Sequence, residues 1–239
     1  MLIVHKYEHK RKDTDMKRFG FTLAEVLITL GIIGVVAAMT IPTLMQKINR
    51  HDKVAGVKKF YANLNNALQA ATVEHGSQKN WNTTMETTTY NNEFGINGEY
   101  PAYVKYIMEN MKYVKACGIG NIYETGCFAE NYACTSSQMS PNLNNSTCRF
   151  STGNNSTSFI LSDGTSVAFT EGYPIFIYFD VNGKKGPNKV GEDMFFLTLD
   201  RQDYIKFNEM RRADYYNEES SGFGVGWILK NGNMDYLDE

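Results

Sequence analysis

The chain has 239 residues, 42% of them apolar and 21% charged, with a formal net charge of −2. That length holds one ordinary domain plus an extra element, the composition argues against wholesale disorder, and the charge argues against a dedicated nucleic-acid binder. The charge is unevenly spread: residues 1–20 carry six basic side chains against three acidic ones, a local +3 that leaves −5 for the rest.

Residues 1–20 read as a polar leader. A start at Met1 and a start at Met16 both keep the basic flank Lys17-Arg18. Phe21 to Ile41 is an apolar run of 21 residues, roughly 32 Å as a helix and about one hydrocarbon core. A basic head before it and an acidic body after it fit the positive-inside rule, with the N-terminus in the cytoplasm and the body across the membrane. Its one charge is Glu25. A charge at the centre of a spanning helix costs about 2.5–3.5 kcal/mol or more, so this carboxylate needs a partner. By residue type the run reads three ways: a secretory signal cleaved near Val36-Ala37-Ala38-Met39, a plain signal anchor, or the N-terminal helix of a processed precursor.

Pro42 interrupts the run, and a proline inside a helix bends its axis. Beyond it Leu44, Met45, Ile48, Val54, Val57, Phe60, Tyr61, Leu64, Ala67, Leu68 and Ala71 recur at helical spacing. One long helix is therefore expected from about Phe21 to about His75, apolar all round in its first half and amphipathic in its second. Residues 77–100 read as loop, and Pro101 to Lys115 as a helix with Val104, Ile107, Met108 and Met111 on one face. Ala116 to Asn155 reads as irregular, stapled loop. Asn145-Ser146-Thr147 and Asn155-Ser156-Thr157 match glycosylation acceptors, with ordinary polar loop the preferred reading.

From Ser158 the period changes to that of strands. Ser158–Leu161 and Ser166–Phe169 flank the turn Ser162-Asp163-Gly164-Thr165, and Ile175–Phe179 and Met194–Leu199 follow. Gly226–Gly232 adds a possible further strand. Short strands with tight turns imply an antiparallel sheet, one face of which the amphipathic half of the long helix covers.

Cys117, Cys127, Cys134 and Cys148 lack any CxxC pair, so a zinc site fits them poorly. Outside the cytoplasm they suggest two disulfides. Of the three connectivities, Cys117–Cys127 with Cys134–Cys148 closes the shortest loops and is preferred; reduced buried thiols are the other reading. No catalytic constellation is visible. His5, His9, His51 and His75 stand far from any candidate nucleophile and read as solvated. Gly222-Phe223-Gly224-Val225-Gly226 has no helix after it and is not a phosphate loop.

Gly20-Phe21-Thr22-Leu23-Ala24-Glu25, opening an apolar helix that meets Pro42, resembles the N-terminal cleavage and methylation signature of type IV pilins and type II secretion pseudopilins. The resemblance covers about residues 16–75. It implies that a prepilin peptidase cuts between Gly20 and Phe21 and methylates Phe21. Glu25 and Pro42 then fall where the family has its assembly glutamate and its helix-bending proline. It also implies an α+β fold, a long N-terminal helix packed on a small antiparallel head sheet. The organisation is a leader at 1–20, a transmembrane and assembly helix at 21–45, and an extracytoplasmic head at 46–239. The expected partners are the peptidase, other pilin or pseudopilin subunits, an inner-membrane assembly platform and the membrane itself, with no nucleic acid and no enzymatic activity. Two rivals are a minor pilin whose head binds DNA, a surface or a secreted substrate, and an anchored hydrolase.

Asp180-Val181-Asn182-Gly183-Lys184-Lys185-Gly186-Pro187-Asn188, with Gly191-Glu192-Asp193 after it, is similar to a turn-rich loop of some pseudopilin heads. Asp180, Asn182 and Asp193 are possible oxygen ligands for calcium. A structural turn is preferred, because Asp, Asn and Gly are strong turn formers and Lys184 and Lys185 oppose a cation. No other cofactor is expected.

Overall fold

The computed structural model describes residues 20–81, 101–133, 156–170, 175–199 and 224–237. Helix α1 is Leu23–His75, α2 is Ala102–Met108, and the strands are β1 Tyr113–Gly120, β2 Ser156–Leu161, β3 Ser166–Thr170, β4 Ile175–Asp180 and β5 Met194–Leu199. Helix α3 is Val225–Asn231, and short 3-10 turns lie at Gln78–Asn80 and Asp235–Leu237. The architecture is α+β, as expected. The chain divides into two compact units, 1–46 and 47–239, with the boundary inside α1.

In the first unit the described chain is helical from Leu23, and α1 continues through Pro42. It is the one described helix long and apolar enough to cross a membrane. Thr29 and Thr40 donate their hydroxyls to the carbonyls of Val26 and Val36, at 2.9 and 3.0 Å. This removes the two hydroxyls from any need for water, as an apolar surrounding requires.

In the second unit the five strands form an antiparallel meander in the order β1-β2-β3-β4-β5. The register pairs Phe159 with Val167, Val167 with Phe179 and Phe179 with Phe195, so these side chains share one face. The stripe Val54, Val57, Phe60, Leu64, Ala67, Leu68 and Ala71 of α1 is buried. Phe60 stacks on Phe179 with ring centroids 4.1 Å apart, which places this stripe on that face. Gly56 permits the approach: a Cβ there would lie 3.1 Å from Cβ of Val181, just after β4. Helix α2 joins the same side, where the Tyr103 hydroxyl donates to the carbonyl of Thr170 at 2.7 Å and its ring meets Phe169 edge-on. The opposite face is also dry, with Ser158 and Ala168 fully buried and Tyr178 and Phe196 nearly so.

Three expectations need correction. Helix α2 ends at Met108 rather than near Lys115, because Tyr113 onward pairs with β2 as the edge strand β1. Irregular register at Tyr113/Lys115 and Ala116/Gly118 breaks the alternation that would have marked this strand. Gly226–Gly232 is not a strand. Val225–Asn231 is a helix between Gly224 and Gly232, both at positive φ (98° and 77°), with Val225 and Ile228 buried on one face. The glycine run therefore does precede a helix, of only 7 residues.

Candidate functional site

The N-terminal segment is built around the start of α1. Phe21 is 86% exposed, and a Cβ on Gly20 would meet nothing within 4 Å, so the described surroundings of the Gly20–Phe21 bond are uncrowded. Thr22 caps the helix. Its N–H and hydroxyl both donate to Oε2 of Glu25, at 2.8 and 2.9 Å, and its hydroxyl oxygen accepts the N–H of Glu25 at 3.2 Å. This is a capping box: two otherwise unpaired donors at the helix start find acceptors, and the carboxylate lies where the helix dipole favours negative charge. Thr-x-x-Glu ahead of an apolar run announces this arrangement, but periodicity along the run conceals it. Oε1 of Glu25 takes part in none of these bonds.

The second cluster lies in the head. Lys53, on α1, is 7% exposed and sets its ammonium 2.7 Å from Glu192 Oε1 and 2.6 Å from Asp193 Oδ1. Asp193 is fully buried, and its Oδ2 accepts the N–H of Lys189 at 3.3 Å. Asp180, also fully buried, accepts the Tyr132 hydroxyl at 2.6 Å and the N–H of Asn182 at 3.1 Å. Burial pushes the Asp180 carboxyl up to about 7, against the lowering effect of its Tyr132 and Asn182 hydrogen bonds. Burial raises Asp193 as well, with Lys53 opposing. At Glu192 burial also works upward, but Lys53 wins and holds it below the usual carboxylate range. Burial and the neighbouring Asp180 charge both raise the Tyr132 phenol.

Two of the three proposed oxygen ligands, Asp180 and Asp193, are taken up by protein partners. The Lys53 ammonium already stands beside Asp193, where a cation would have to bind, and Tyr132 takes Asp180. Asn182 caps the turn, donating its amide to the carbonyl of Gly186 at 3.2 Å. Lys53 lies on the amphipathic half of α1. It is buried because Glu192, 139 residues further along the chain, and the adjacent Asp193 close over it.

Cys117 and Cys127 form a disulfide with Cα atoms 5.8 Å apart, tying β1 to the loop after it. The carbonyl of Cys127 accepts the Ser166 hydroxyl at 2.6 Å, which holds that loop to β3. Cys134 and Cys148 lie outside the described residues, as do both candidate glycosylation asparagines and the leader up to residue 19. His75 is not solvated: it stacks on Tyr106 and meets Glu109.

A family model described as a family of unknown function, DUF6613, matches residues 43–217. The chain belongs to that family. The DUF6613 match takes in the second part of α1 and the whole sheet. A second model, the prokaryotic N-terminal methylation motif, matches residues 15–41. That motif is the type IV pilin and pseudopilin signature, so this DUF6613 chain is a pilin-like subunit at its N-terminus. The motif and the apolar first part of α1 support membrane anchoring. No curated protein and no solved structure matches the chain.

Proposed function

We propose that this DUF6613 chain is a structural filament subunit of a type IV pilus or a type II secretion pseudopilus. A prepilin peptidase cuts between Gly20 and Phe21 and methylates Phe21. Until then the chain waits in the inner membrane, leader in the cytoplasm, residues 21–45 spanning and residues 46–239 outside as the head. The assembly platform then moves α1 out of lipid and against the helices of other subunits. The observation that carries this reading is the exposed Gly20-Phe21 bond leading into a helix capped by Glu25, inside the methylation motif.

Cleavage creates a positive amine at Phe21, and Glu25 of a neighbouring subunit is its natural partner. At ~4 Å and an effective dielectric of ~20, Coulomb's law gives roughly 4 kcal/mol before desolvation is subtracted. Lipid tails are as apolar as the helix, so burial alone cannot set register, and this pairing with close packing can. Intact mass and N-terminal sequencing of the native protein test the proposal. The expected chain begins at N-methylated Phe21; one beginning at Met1, or after Ala38, rejects it.

A further inference from the structure

His75 ends α1, and Glu109 caps the end of α2. Nε2 of His75 lies 3.2 Å from Glu109 Oε2 and 3.8 Å from Glu74 Oε2, and one ligand atom from each of the three residues lies within 4.8 Å of the others. Donors around a tetrahedral ion with bonds of about 2.0–2.1 Å are roughly 3.3 Å apart. The 3.2 Å spacing of His75 and Glu109 matches that distance, and Glu74, at 3.8 Å from the imidazole nitrogen, has only to move slightly inward to join them.

The imidazole is held in place for this role. Its ring lies flat on Tyr106, with centroids 3.7 Å apart and planes 12° from parallel. Trp81 meets Tyr106 edge-on and donates its indole N–H to the carbonyl of Gly76 at 3.1 Å, fixing the chain just after His75. The electrostatics also favour a cation. Two carboxylates face one imidazole, and the unpaired carbonyls at the end of α1 add negative partial charge.

We infer that Glu74, His75 and Glu109 bind a divalent transition metal of the zinc class, which fastens the end of α1 to the end of α2. One nitrogen and two oxygens suit such an ion. The exposed side chains of Glu74 and Glu109 (63% and 40% on the side chain) leave its fourth position to water. Without metal, His75 and Glu109 share a hydrogen bond.

The test is zinc titration of the full chain in detergent after chelation, by calorimetry, with cobalt absorption as a second readout. The expected result is one ion per chain and a thermal midpoint raised by zinc. H75A and E109Q should each weaken binding by at least about tenfold. H51A should leave it unchanged, since His51 is exposed and stands beside Asp52, at 4.0 Å, away from the cluster. Far-UV circular dichroism of the metal-free variants establishes that they fold. Absence of zinc binding in the wild type, or binding that survives both H75A and E109Q, overturns the inference.

Discussion

The buried ion pair at Lys53 gives the strongest quantitative test of how the head is held to its helix. Lys53→Ala removes the one positive charge within 4 Å of both Glu192 and Asp193 among the described residues. Asp193 has no exposed surface, so its carboxylate would be left in a dry site facing like charge from Glu192. Breaking a buried pair from one side costs about 3–5 kcal/mol. The head holds both tryptophans, Trp81 and Trp227, so intrinsic fluorescence in urea follows its unfolding and not that of the apolar first part of α1. With a urea slope of about 2 kcal/mol/M, the midpoint should fall by roughly 1.5–2.5 M. The loss should shrink on acidification, because burial raises the Asp193 carboxyl and Lys53 no longer opposes it. Lys53→Met with Asp193→Asn should recover much of the stability, since it removes both charges and keeps the volume. A shift under about 0.5 M for Lys53→Ala would show that water reaches the pair and that the apolar stripe alone seats α1.

Glu25→Ala should leave cleavage largely intact and abolish incorporation into filaments, scored by N-terminal sequencing and by recovery of sheared fibres. Thr22→Ala separates the two roles of this carboxylate. It costs the helix start about 0.5–2 kcal/mol but keeps the charge, and filaments should still form; loss of filaments in Thr22→Ala and normal filaments in Glu25→Ala would reverse the reasoning. Asp180 titrates near 7 when folded and near 3.9 when unfolded. Its contribution to stability is therefore present in acid and lost as pH rises through about 7. Between pH 5 and pH 7 this amounts to about 2–3 kcal/mol at 1.36 kcal/mol per unit. Asp180→Asn should flatten that slope in urea midpoints, and an unchanged slope would refute the assignment.

What the sequence made legible was local. Helix α1 follows from the stripe between Val54 and Ala71, and the β2–β3 hairpin from Asp163-Gly164, whose turn is closed by Asp163 accepting the N–H of Thr165 at 3.1 Å. Strand β5 was expected at Met194–Leu199 and is found there. What stayed hidden depends on distant partners. Strand β1 pairs with residues some forty positions later and is bulged twice, so neither alternation nor a turn marks it. In Trp227-Ile228-Leu229 a strand-like composition competes with a helix whose limits are set by Gly224 and Gly232, and the left-handed glycines prevail. Lys53 and His75 carry no local sign of burial or of stacking. The Thr22–Glu25 box was the exception, a short-range signal masked by the apolar run around it.

That box changes what assembly means for Glu25. Under the proposed assembly, a subunit waiting in the bilayer does not carry a bare charge, because its own first turn already solvates the carboxylate. Docking onto a fibre then exchanges an internal partner for an external one. The net gain at this residue is the difference between two hydrogen-bonded states and is far smaller than the full attraction of amine and carboxylate. Under the proposed assembly, a subunit leaving the fibre has its old partner within reach. On that proposal, polymerisation through Glu25 is a swap that runs in both directions, and its direction is left to the helix packing and to the proposed platform.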